Sequence, residues 1–139
     1  MASTIRMEGL TLPVKDLRRS IAFYEKKLGF AVEMRALPDF ALIRVGGPRG
    51  GTIGLLAMKH AAAPGTKPMS RAQRRAFHVE LSTDDIDGLY RRLKARGVRF
   101  HEPPHDEPWE RAMSAFDPDG HTVEFAEGRR GRNTPRAKG

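Results

Sequence analysis

The stretch H78-V-E-L-S82, continued by D84-D-I-D-G-L-Y-R-R-L-K-A-R96 and Gly97, decides how this chain folds. Apolar and polar residues alternate over its first part, as in a strand with one buried face. Ile86, Leu89, Tyr90 and Leu93 then recur at helical spacing, and Gly97 is placed to end the helix. The same order occurs once before. G9-L-T-L-P-V14 alternates, K15-D-L-R-R-S-I-A-F-Y-E-K-K-L28 sets Leu17, Ile21, Tyr24 and Leu28 on one face behind Asp16 as N-cap, and Gly29 follows.

Each of these units is followed by three extended stretches. In the first half they are F30-A-V-E-M-R35, F40-A-L-I-R-V45 and T52-I-G-L-L-A-M58. In the second they are V98-R-F-H-E102, R111-A-M-S-A-F116 and T122-V-E-F-A126, with a Pro-rich bend at P103-P-H-D-E-P108 and a tight turn at D117-P-D-G120. Both halves read βαβββ, and their offset stays near 70 residues, the mark of an internal duplication. One domain over residues 1–127 is expected, with modules at about 6–58 and 76–127, a linker at 59–75 and a basic, disordered tail at 128–139. A four-stranded sheet with one helix cannot cover both its faces, so pairing the modules leaves a concave inner face.

Composition narrows the function. The chain of 139 residues has no cysteine, which excludes disulfides, thiolate nucleophiles and cysteine-based metal frameworks, so any metal needs His, Asp or Glu. Neither a long apolar run nor a signal-peptide core is present; a cytoplasmic address without membrane insertion is expected. The net charge of +8 suggests nucleic acid, but the last twelve residues hold five of the 25 basic ones. Without them 20 basic residues face 17 acidic ones, scattered rather than striped, which argues against a nucleic-acid surface.

Strand parity selects the candidate site. Leu10, Leu12, Val14, Ile53, Leu55, Val79, Leu81, Val123 and Phe125 share the parity that packs under the helices. The other parity carries Gly9 and Thr11, then Thr52, Gly54 and Leu56, then His78, Glu80 and Ser82, and finally Thr122, Glu124 and Ala126. His78 and Glu124 open and close the second half and are expected as neighbours; the duplication gives Gly9 and Gly54 as their counterparts. Glu80, two residues from His78 on the same face, is the candidate third donor. His60, His101 and His105 are read as loop residues, the last two with Trp109 and Arg111 at the rim of the cavity mouth, and His121 as structural or exposed.

The segments V14-K-D-L-R-R-S-I-A-F-Y-E-K-K-L-G-F30, F77-H-V-E-L-S82 and F116-D-P-D-G-H-T-V-E-F125 together resemble the vicinal oxygen chelate superfamily of glyoxalase I, bleomycin-resistance proteins, fosfomycin-resistance enzymes and extradiol dioxygenases. The resemblance implies an α+β fold in which two paired βαβββ modules form a half-open mixed-sheet barrel around a concave cavity. It also implies metal ligands on the first and last strands of each module, which here fall on Gly9, Gly54, His78 and Glu124. Two readings stand open. In one, a small-molecule-binding protein, expected as a homodimer, holds or sequesters an aromatic or antibiotic-like ligand in a pocket lined by Gly9, Thr11, Thr52, Gly54, Leu56, Thr122, Trp109 and Arg111, with Glu124 available as a base. In the other, a lyase, isomerase or dioxygenase uses Zn, Fe, Mn or Ni at His78 and Glu124.

Overall fold

The computed structural model describes residues 3–61 and 67–128; most of the expected basic tail, residues 129–139, lies outside the described residues. The chain divides into two compact units, residues 1–67 and 68–139. Both are α+β, and each is built on a mixed four-stranded sheet. Among the described residues no helix is long and apolar enough to cross a membrane.

In the first unit β1 (Gly9–Val14), β2 (Ala31–Ala36), β3 (Phe40–Arg44) and β4 (Thr52–Ala57) stand in the order β1-β4-β3-β2. The crossover places β1 parallel to β4, whereas β2 with β3 and β3 with β4 pair antiparallel. Helix α1 (Leu17–Ala22) begins at Asp16, whose carboxylate accepts a hydrogen bond from the Arg19 amide. A continuous α-helix to Leu28 was the expectation, but Phe23–Lys27 forms a π-turn, with the Leu28 amide bonded to the Phe23 carbonyl. The wider turn lets the adjacent aromatics Phe23 and Tyr24 both be buried, with their rings edge to face at 5.0 Å. They share the core with Val14, Ile21, Ile43 and Leu55, each such burial contributing about 1.5–3 kcal/mol. Leu10, expected under the helix, stays partly exposed near the start of edge strand β1.

Two parts of the expected linker are helical among the described residues. Met58–Ala61 forms helix α2 and Arg71–Ala76 forms α3. Helix α3 opens with a reciprocal capping box: the Ser70 hydroxyl accepts from the Gln73 amide, and the Gln73 side chain accepts from the Ser70 amide.

The second unit repeats the topology with β5 (His78–Thr83), β6 (Phe100–Asp106), β7 (Arg111–Phe116) and β8 (Thr122–Glu127) in the order β5-β8-β7-β6. Helix α4 (Ile86–Ala95) is capped by Asp85 and ends before Gly97, which has a positive φ of 85°. The Glu127 carboxylate accepts from the Ile86 amide and ties β8 to the positive end of α4. Strand β6 continues through Pro103 and Pro104 where a bend was expected. It is an edge strand, and its register shifts between Phe100 and Glu102 and again between Glu102 and His105, so the missing proline donors are accommodated.

Candidate functional site

The parallel pairing of β5 with β8 sets the geometry. Its register puts His78 beside Thr122 and Glu80 beside Glu124, so all four side chains share one sheet face. Val79, Val123 and Phe125 are buried on the opposite face, as the alternation predicted. Pairing of β7 with β8 adds Ser114 beside Glu124 and Phe116 beside Thr122 to the same face as the acid.

Three donors converge there. His78 Nε2 lies 2.9 Å from Glu80 Oε2 and 3.8 Å from Glu124 Oε1. One donor atom from each of His78, Glu80 and Glu124 falls within 4.8 Å of the others. Glu124 is the most enclosed, its side chain 21% exposed, against 31% for His78 and 45% for Glu80. Sequence reasoning ranked Glu80 below Glu124 because the β5–β8 register cannot be read from alternation alone. With that register, Glu80 rather than Glu124 is the closest partner of the imidazole. A zinc-type centre holds its nitrogen and oxygen ligands at about 2.0–2.2 Å, which requires donors roughly 3–3.5 Å apart. The three donors span up to 4.8 Å, and one imidazole with two carboxylates is a set that suits Zn, Fe, Mn or Ni.

The D117-P-D-G120 turn holds β8 in place. The buried Asp117 carboxylate accepts from the amides of Asp119 at 2.9 Å and His121 at 2.8 Å, and Gly120 takes φ 85°. His121 is buried beside it. Thr122 uses its hydroxyl to donate to the Arg74 carbonyl at 3.2 Å, which brings the end of α3 to the start of β8.

The counterpart face of the first unit is built differently. Its register pairs Gly9 with Thr52 and Thr11 with Gly54. A Cβ placed on Gly9 would collide with the carbonyl oxygen of Thr52. One placed on Gly54 would stand 2.8 Å from the Thr11 hydroxyl and 3.1 Å from the Phe40 ring. Thr52 itself is buried and donates its hydroxyl to the Glu8 carbonyl at 3.1 Å. Leu56 lies beside Pro13 and Phe40 in the same register. The Glu8 side chain is exposed, and its backbone carbonyl is what meets Thr52.

Arg111, expected at the rim, is bonded on the helix side of its sheet. Arg111, beside Glu127 in the β7–β8 register, has the parity of Met113 and Phe125 and therefore points to the helix side. There its guanidinium grips Asp87 of α4 through both carboxylate oxygens, at 3.2 and 2.9 Å, and Asp106 of β6 at 3.0 Å. These partners raise its pKa further above an already high value and lower that of Asp87. Trp109 sits between β6 and β7 and is 54% exposed.

The histidines expected in loops are bonded or enclosed. His60 reaches the Asp39 carboxylate at 2.8 Å, and this bond together with Lys59 holds Asp39 below the usual carboxylate range. His105 lies on β6, with Nδ1 donating to the Pro103 carbonyl at 2.8 Å and Nε2 to Glu107 at 3.0 Å. Two acceptors for two ring nitrogens favour the imidazolium, and the pKa is raised, first by the Pro103 bond. His101, also on β6, packs its ring 4.8 Å from Phe116 and thus belongs to the Glu124 face. The prolines that follow it suggest a loop, and the register shift between Phe100 and Glu102 that turns it to this face has no signal in the sequence.

Residues 6–125 match the Glyoxalase/Bleomycin resistance protein/Dioxygenase superfamily. A glyoxalase/bleomycin resistance protein/dioxygenase from Nocardioides is 30% identical, with a TM-score of 0.71 over 91% of this chain and 85% of that one. A member of the same superfamily from Sphaerobacter thermophilus is 28% identical, with a TM-score of 0.72 over 89% and 98% of the two chains. TnmS3, an antibiotic-binding protein from Streptomyces, shares the fold at 22% identity, with a TM-score of 0.70 over 91% and 98%.

Proposed function

Because the chain belongs to the glyoxalase, bleomycin resistance protein and dioxygenase superfamily, we propose that it binds a small aromatic or antibiotic-like molecule against the Glu124 face of its second unit. The observation that carries this reading is the one-sidedness of the donors. His78, Glu80 and Glu124 gather in the second unit, while in the first Gly9 is fixed as glycine by the Thr52 carbonyl and Gly54 is closely hemmed by the Thr11 and Phe40 side chains. Glycine at both first-unit ligand positions leaves the two-module ligand set of the metal enzymes incomplete. A sheet face bearing an acid, an imidazole and the Ser114 and Thr122 hydroxyls still supplies a few placed polar groups among apolar ones, the usual makeup of a ligand site. Likeness of fold to an antibiotic-binding protein supports the same choice.

The convergence of three donors favours a second reading, a divalent-metal enzyme. His78, Glu80 and Glu124 would hold the ion, matching the three protein ligands of a catalytic zinc centre. A bound ion would supply Lewis acidity toward paired oxygens of a substrate. His78 Nε2 donates to Glu80 in the present arrangement, so metal binding would have to displace that proton.

Metal analysis of untagged protein, combined with ligand titrations followed by Trp109 fluorescence, separates the two. The first reading expects aromatic ligands to bind with the same affinity with and without EDTA, and less than stoichiometric metal. Stoichiometric Zn, Fe, Mn or Ni that disappears in His78→Ala would establish the second instead.

A further inference from the structure

We propose that His101 is a ligand-contacting residue of the Glu124 face, where its ring receives a hydroxyl group of the bound molecule. This deepens the reading above and rests on it. The residue sits in V98-R-F-H-E102, where Val98 is buried and Phe100 stacks edge to face on Tyr90 of α4 at 4.9 Å. Phe100 therefore faces the helix, and His101 turns to the other side, against Phe116. Phe116 lies beside Thr122 in the β7–β8 register, two residues along β8 from Glu124.

Both ring nitrogens of His101 are shielded from solvent, and neither has a hydrogen-bond partner among the described residues. By contrast, His60, His78 and His105 all bond to carboxylates. An imidazole carries at least one N–H, so burial without a partner is costly, and folded proteins leave few such groups. A site facing a ligand is where the missing partner is expected to arrive.

The electrostatics define what that partner can be. Burial, then the positive charge of Arg75 at the end of α3, holds the His101 pKa below the ordinary 6.5; Glu102 opposes this and His78 adds to it. The ring is therefore neutral at pH 7 and offers one donor and one acceptor. A hydroxyl, which both donates and accepts, complements it in either tautomer. An ammonium group is disfavoured by Arg75. The ligand group proposed at this position is thus a hydroxyl, that of an alcohol, enol or phenol, rather than a cation.

Phenol and its methyl ether, anisole, are suitable probes, because methylation removes the donor and keeps the ring. Histidine ring-nitrogen NMR of the full chain is expected to show phenol shifting both His101 nitrogens. Phenol should also bind about three- to tenfold tighter than anisole, the worth of one net hydrogen bond. In His101→Phe that preference should vanish while anisole binding persists. Without probe this variant should be at least as stable as the parent, since an apolar ring replaces an unpartnered polar one. If phenol moves His78 and Thr122 signals but not His101, the assignment of His101 is overturned and ligand binding on this face survives. If neither probe moves any signal on the face, both fall. Should His101→Phe fail to fold, the shifts in the parent protein still decide between these outcomes.

Discussion

The two units share one topology and differ in what they present on the same face of it. Gly9, Thr11, Thr52 and Gly54 in the first occupy the places that His78, Glu80, Thr122 and Glu124 hold in the second. The helix-side positions remain apolar in both: Val14, Ile53 and Leu55 in one, Val79, Val123 and Phe125 in the other. Packing constrains the helix side of each sheet in the same way, because either core must be filled. The other face is free to diverge, and here the divergence has been built into the backbone. The Thr52 carbonyl stands where a side chain at Gly9 would begin, so the first unit cannot regain a donor there by a single substitution.

Grafting the second unit's donor into the first gives the largest expected effect. Gly9→His places a Cβ onto the Thr52 backbone, which cannot yield as a flexible side chain would, and should destabilise by about 3 kcal/mol or more. Chemical denaturation measures it, and a variant as stable as the parent would remove the steric basis of the comparison. The reverse change, His78→Gly, should leave most of the stability intact, because the imidazole is partly exposed.

The turn before β8 is next. D117-P-D-G120 occupies the place of G46-G-P-R-G-G51 in the first unit, and only the former has a buried carboxylate bonded to two amides. Asp117→Ala should cost about 1.5–3 kcal/mol, the range for hydrogen bonds to a charged group, and should loosen Thr122 and Glu124. Amide hydrogen exchange along β8 reports that loosening, and unchanged protection would show that the β7–β8 ladder holds the site without the turn.

The smallest effect is the pH response of His105, which has no bonded counterpart at the end of β2. Its folded pKa is raised, so the imidazolium contributes stability in full below the unfolded value near 6.5. That contribution is lost as pH rises through the folded value. A ring-proton titration should give a midpoint above the ordinary one, and His105→Gln should flatten the stability profile on that alkaline side. A midpoint at or below 6.5 would mean that the bonds to Pro103 and Glu107 do not persist in solution.

Much of this was open to sequence reasoning because strands and amphipathic helices announce themselves by period. His78 and Glu124 could be placed on a polar face by alternation alone. The capping signal S70-R-A-Q73 was also present, yet it was masked by the small, proline-rich and basic residues around it, so α3 went unseen. β7 gives no parity signal, since Ala112, Met113, Ser114 and Ala115 are buried on both faces, so the sequence does not show that Arg111 faces α4. The π-turn at Phe23 was hidden for a different reason: Tyr24 fits an α-helical stripe by itself, and only the burial of Phe23 demands the wider turn.

Periodicity and duplication, both local patterns repeated along the chain, determined the βαβββ units, their helix-facing cores and the polar face with His78 and Glu124. Register belongs to the tertiary structure, because a parallel pair such as β5 and β8 joins strands about 40 residues apart through a crossover that no local pattern specifies. That register made Glu80 the neighbour of Glu124. Packing across strands enclosed His101 against Phe116 and turned Arg111 toward α4, since which side chains lose water depends on every strand between them.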